Sequence, residues 1–116
     1  MFENQPWKLY AHDMLEACKR VLEFTEGMDQ ESLLADVRTY HATLHNLALI
    51  GEAATHIPDS VRDSHRNIPW RSIVGARNVI MHVYLGIDDN LIWLMVSRSV
   101  PDLIPQLRAL LKDAEG

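Results

Sequence analysis

The sequence predicts an all-α fold, an up-and-down bundle of four to five helices. Three observations carry that expectation. Apolar residues recur every three to four positions along most of the chain. No alternating run bounded by hairpin turns is present. Proline and glycine are sparse, five of each, and no low-complexity stretch is present.

From Trp7 to Phe24 the apolar stripe is Leu9/Tyr10, Met14, Ala17/Cys18, Val21 and Phe24. Pro6 suits the first turn, where a missing N–H costs nothing. Gly27 breaks the pattern, and residues 26–32 read as a loop. A second helix is expected from about Glu31 to His56, with Gly51 as its one weak point and Pro58 as its stop. Asp59 is placed to cap a short helix over Ser60 to His65. A third helix begins near Trp70, carries Ile73, Val74, Ile80, Met81 and Tyr84, and ends around Gly86. Asp88 or Asp89 caps the last helix, in which Pro101 or Pro105 should force a kink or a restart.

The 116 residues predict a single domain spanning 1–116, with one core. The lone cysteine, Cys18, has no disulfide partner and lies in an apolar stripe, which suits a reducing cytosol. Neither a signal-peptide pattern nor a run of roughly 18 apolar residues is present, so a cytoplasmic protein with no membrane partner is expected. Eleven basic residues against 16 acidic ones leave a net charge of −5. Such a balance argues against a broad phosphate-gripping surface. Yet Arg62, Arg66, Arg71, Arg77, His65 and His82 stand against the single acid Asp63 between Arg62 and Tyr84. A local cationic site is compatible with that distribution.

Within it, Arg77-Asn78-Val79-Ile80-Met81-His82-Val83-Tyr84 places four polar groups capable of chemistry in two helical turns. On an ideal helix Arg77 and Tyr84 lie about 20° apart, but His82 lies roughly 140° round from Arg77. Either a distortion near Gly86 or a two-fold dimer could bring guanidinium and imidazole together; the dimer explains it better. A guanidinium stabilises charge building on a phosphate, and an imidazole moves protons near neutral pH. That pair is what metal-independent RNA cleavage needs, with Asn78 orienting either group. On spacing alone, a surface ion-pairing cluster is the commoner reading of such a segment.

Glu52, in a small and apolar stretch, could pair with Arg77 or position His82. The plainer reading is a structural carboxylate at a helix end or beside Arg71. His41 and His45 have ligand-like spacing, but a metal site would need Cys18 or His12 as well, so packing or surface roles are preferred and no metal or other cofactor is expected. His56 and His65 read as exposed loop residues. Trp70 and Trp93 read as core or dimer anchors, Trp7 as either an anchor or a base-stacking residue. The acidic residues Glu16, Glu23, Glu26, Asp29 and Glu31 read as an ordinary solvated face or as a docking surface for a basic partner.

Arg77-x4-His82-x-Tyr84, with Asn78 after the arginine, resembles the signature of HEPN-domain ribonucleases of the HepT family. The stretch from Asp36 into Ile50-Gly51-Glu52-Ala53-Ala54, then Ile68-Pro69-Trp70, Gly75 and Trp93, is similar to further HepT landmarks in the same order. The resemblance implies a HEPN-like helical homodimer that cleaves RNA at a cleft where two copies of the motif meet. It also implies a partner, an MntA-like minimal nucleotidyltransferase antitoxin, as in type VII toxin–antitoxin systems. By the same resemblance Arg77 and His82 are the catalytic pair, Asn78 supports them, and Tyr84 accepts AMP. A second reading is a non-catalytic regulatory subunit of a nucleotidyltransferase.

Overall fold

The computed structural model describes residues 6–84 and 88–115, side chains at 81–84 and 115 apart. Its helices are α1 (Trp7–Phe24), α2 (Gln30–Ala35), α3 (Val37–Ala54), α4 (Asp59–Ser64), α5 (Trp70–Val74), α6 (Ala76–Tyr84), α7 (Asp89–Leu94) and α8 (Val100–Glu115). A π-helical turn, Met95–Ser99, joins the last two. The described residues contain no strand, as the sequence pattern predicts.

The stripe of α1 buries Ala11, Met14, Ala17, Cys18 and Val21 completely. It packs chiefly on α3 and on α8. From α3 come Leu44, Leu47, Ile50 and Ala54; from α8 come Leu103, Leu107, Leu110 and Leu111. Truncating a side chain such as Leu44 in a core of this kind costs about 2–5 kcal/mol. Asn46, the one buried amide among the described residues, is satisfied: it accepts from Arg20 Nε at 2.8 Å and donates to the Ala42 carbonyl at 2.9 Å. Burial pushes the Cys18 thiol up to about 12, so it serves as a small apolar residue rather than a nucleophile. No helix among the described residues is long and apolar enough to cross a membrane.

Four boundaries differ from the sequence expectation, each for a local reason. The long second helix is two helices. Asp36 leaves the helical region (φ −95°, ψ 87°) and its carboxylate accepts from Thr39 N at 3.1 Å, starting α3 afresh. Upstream, α2 begins inside the expected loop because Asp29 and Ser32 form a capping box. Asp59 does not cap α4; Pro58 holds the cap position in an extended conformation and Asp59 lies in the first turn. The third helix divides at Gly75 into α5 and α6. Its expected end at Leu85-Gly86 falls outside the described residues. Asp88 does cap α7, accepting from Leu91 N at 3.0 Å. The restart expected near the prolines is the π turn, which ends at Ser99, two residues before Pro101. Pro101 has no N–H to return to the preceding turn, and widening that turn absorbs the mismatch. Helix α8 continues through Pro105.

The two capping aspartates tie stability to pH. Hydrogen bonds from Ser32 hold Asp29, and hydrogen bonds from Thr39 hold Asp36, below the ordinary carboxylate value of 3.8. A carboxylate depressed in the folded state stabilises fully above its unfolded value and ceases to as pH falls through the folded one. Urea midpoints should therefore decline as pH is lowered below about 4. Asp36→Asn should flatten that decline; an unchanged slope in the double Asp29→Asn, Asp36→Asn variant would contradict the assignment.

Candidate functional site

The site starts at the end of α3. Of Ile50-Gly51-Glu52-Ala53-Ala54, only Glu52 is exposed. Gly51 is buried because α3 there touches backbone. A Cβ at this position would sit 2.9 Å from the Ile73 carbonyl oxygen, 3.5 Å from Ala76 Cβ and 3.7 Å from Arg77 N. The missing side chain thus lets α3 lie directly against the junction of α5 and α6. Glu52, next in sequence, emerges beside the first turn of α6.

There Arg77 Nη1 donates to Glu52 Oε1 at 2.6 Å. Glu52 Oε2 lies 3.6 Å from His56 Nε2, one helical turn on. The His56 ring is stacked on Tyr10 of α1, with centroids 4.3 Å apart and planes 14° from parallel. A row of four polar side chains therefore runs Arg77, Glu52, His56, Tyr10 across α6, α3 and α1. The arginine is 60% exposed and Glu52 48%. Exposed ion pairs of this kind add little stability, about 0–1 kcal/mol. The carboxylate's main effect is to orient. It holds one N–H of a planar fork that carries five, leaving the others for an anion.

Asn78 is exposed next to Arg77. Helix α6 runs unbroken through His82 and ends at Tyr84, but the side chains of both lie outside the described residues. So the fold brings Glu52 to Arg77 and keeps Asn78 beside it, while His82 and Tyr84 are located by backbone only. The choice left open for Glu52 falls to Arg77; Arg71 is not its partner. Sequence reasoning missed His56. The signal was its i, i+4 spacing from Glu52, with a tyrosine on the facing helix.

Other candidates have structural tasks. Arg62 donates to the Ala54 and Ile57 carbonyls at 2.7 and 3.0 Å. It thereby closes the C-terminal end of α3, where orphan carbonyls attract a cation. Its guanidinium also lies 6.0 Å from the Trp70 ring centroid. His65 is half-buried, not an exposed loop residue: its ring contacts the Val61 carbonyl at 3.2 Å and Asp113 at 3.3 Å. Trp70 is buried and donates to the His65 carbonyl at 3.0 Å. Arg66 and Arg71 stay exposed along a shallow concavity shared with Asp59 and Asp63. His41 and His45 are exposed on α3, and no group of three potential metal ligands occurs among the described residues. On another flank of α6 lies a largely apolar groove of about 640 Å³, bordered by Leu47, Ile50, Ile73, Ala76, Val79 and Met95.

The sequence model of the family described as "Ribonuclease HepT-like" matches residues 14–110. A protein of Methanocaldococcus jannaschii named "Putative RNase MJ1380" is 35% identical over 96 residues, covering 83% of this chain and 88% of that protein. One from Thermococcus cleftensis, named "Probable ribonuclease HepT", is 34% identical over 105 residues, covering 90% and 96%. A second M. jannaschii protein, "Putative RNase MJ0127", is 31% identical over 109 residues, covering 94% and 90%. No solved structure matches significantly. The matched span contains Glu52, Arg77, Asn78, His82 and Tyr84.

The Gly51 contact gives a stability test. Alanine in a helix interior ordinarily gains about 0.5–1 kcal/mol over glycine. Here the added methyl meets a backbone carbonyl that cannot swing aside, an overpacking cost of about 1–3 kcal/mol. Gly51→Ala should be net destabilised by about 1–2 kcal/mol in urea unfolding. A variant as stable as the parent would show that the helices can separate there without penalty.

Proposed function

The chain belongs to the HepT-like ribonuclease family, and from that membership we propose a metal-independent RNA endonuclease acting as the toxin of a type VII toxin–antitoxin pair. The observation that carries the reading is Arg77, held at one edge by Glu52 at 2.6 Å and 60% exposed elsewhere. A fork so held can take the scissile phosphate and stabilise the extra charge of the transition state. In the cleavage step the ribose 2′-oxygen attacks phosphorus and loses its proton. The bond to the 5′-oxygen breaks, leaving a cyclic phosphate and a 5′-hydroxyl that gains a proton. His82 is the group that handles these protons, since imidazole serves as both base and acid near neutrality. Asn78 supports the pair by hydrogen bonding.

The working unit is a homodimer. Along the continuous α6, Arg77 and His82 are separated by roughly 140° of helix rotation, so one copy does not aim both at a single linkage. A two-fold interface repeats each residue across one seam and removes that difficulty. The apolar groove beside α6 offers a surface for the second copy.

Neutralisation follows from the same segment. The Tyr84 phenolic oxygen attacks the α-phosphorus of ATP held by the nucleotidyltransferase antitoxin, its proton is lost, and pyrophosphate leaves. The AMP so attached brings bulk and negative charge beside a site meant for RNA phosphate, which blocks by sterics and repulsion. RNA and ATP place the reaction in the cytoplasm.

Two measurements test this. Purified protein should cleave RNA in EDTA, and His82→Ala should abolish the cleavage; persistent cleavage by that variant sinks the assignment. Co-expressed with a minimal nucleotidyltransferase of the proposed antitoxin type, the chain should gain AMP units by intact mass, and Tyr84→Phe should remove them. An unmodified Tyr84 under those conditions counts against the antitoxin step.

A further inference from the structure

Tyr10 is half-buried against the edge of the core, whereas its stacking partner His56 is 46% exposed. Its ring is nevertheless fixed, stacked on Tyr10 at 4.3 Å and 14°. Stacking on a half-buried tyrosine removes most of the freedom an exposed histidine would have. In that pose Nε2 lies 3.6 Å from Glu52 Oε2, while Oε1 of the same carboxylate holds Arg77. Oε1 of Glu52 is thus hydrogen-bonded to Arg77, while Oε2 lies within ion-pairing distance of the imidazole whenever that ring carries a proton.

We propose that His56, clamped by Tyr10, is a positioning residue for Arg77 and acts on it through Glu52. The inference rests on the reading of Arg77 as the group that receives the RNA phosphate. A carboxylate bound at one oxygen only can pivot about that bond and carry the guanidinium with it. With a protonated imidazole 3.6 Å from the second oxygen as well, it presents the open edge of the fork in one direction, which is what phosphate capture requires. Sharing the carboxylate with an imidazole also draws it away from an incoming phosphate, easing like-charge repulsion. Helix α1 contributes to the site in this way without touching RNA.

The test is single-turnover cleavage of a short RNA, with melting temperatures recorded in parallel. His56→Ala should lower kcat roughly threefold to tenfold, the range of a modest coupling between neighbours, with KM within about twofold of the parent. His56→Gln keeps an amide donor and should recover most of the loss. Because His56 acts through the carboxylate, adding His56→Ala to Glu52→Gln should lower kcat no further than Glu52→Gln alone. Parental kcat in His56→Ala, a full additional loss in the double variant, or failure of His56→Gln to rescue would each overturn the proposal. Inactivity of His82→Ala in the same assay keeps the two readings apart. If that variant cleaves, the assignment of the site fails; if it is dead while His56→Ala is fully active, only the positioning role fails.

Discussion

The close approach of α3 to the α5–α6 junction at Gly51 is the constraint on which the site depends. Helix backbones normally stand apart by the thickness of their side chains. Here a glycine brings the axis near enough for its Cβ position to lie 2.9 Å from a carbonyl oxygen of the facing segment. At that separation the carboxylate of residue 52 reaches the guanidinium of residue 77 directly, at 2.6 Å. Small neighbours serve the same end: Ala53 and Ala54 are buried on α3, and Ala76 is buried at the start of α6. The glycine that weakens this stretch by helix propensity thus serves packing, and it sets the position of Arg77, which faces outward with a carboxylate partner.

Charge is distributed to match. The chain is acidic overall, with a net charge of −5, and its arginines divide by task. Arg62 is spent on the carbonyls that end α3, and Arg20 on the buried amide of Asn46. Arg77 is different. It meets a carboxylate at one edge and solvent at the others, which suits capture of a single phosphate better than gripping a long polyanion.

Much of this was legible in the sequence. The apolar stripes of α1 and α8, the cap at Asp88 and the stop at Pro58 all follow from local rules, and local rules sufficed. The breaks at Asp36 and Gly75 did not show, because the apolar period runs on through both and only backbone geometry interrupts it. Arg77 and Asn78 were legible through their motif. Glu52 was visible as an unusual carboxylate, but its partner depended on how closely two helices meet, which spacing along one chain does not encode. His56 was read as a loop residue beside Pro58. It does lie there, exposed in the turn just past the end of α3, but it stacks on a tyrosine 46 positions earlier on a different helix, which no local pattern announces.

The account stands or falls on a planar guanidinium, gripped at one edge by Glu52, receiving phosphate at the other. Arg77→Lys separates that geometry from mere positive charge, since an ammonium lacks the fork that can serve both partners in one plane. Measured as single-turnover cleavage of a defined RNA, Arg77→Lys should be slower by about 10²–10³-fold while unfolding at the parental urea concentration. A folded Arg77→Lys protein that cleaves at the parental rate would contradict the account.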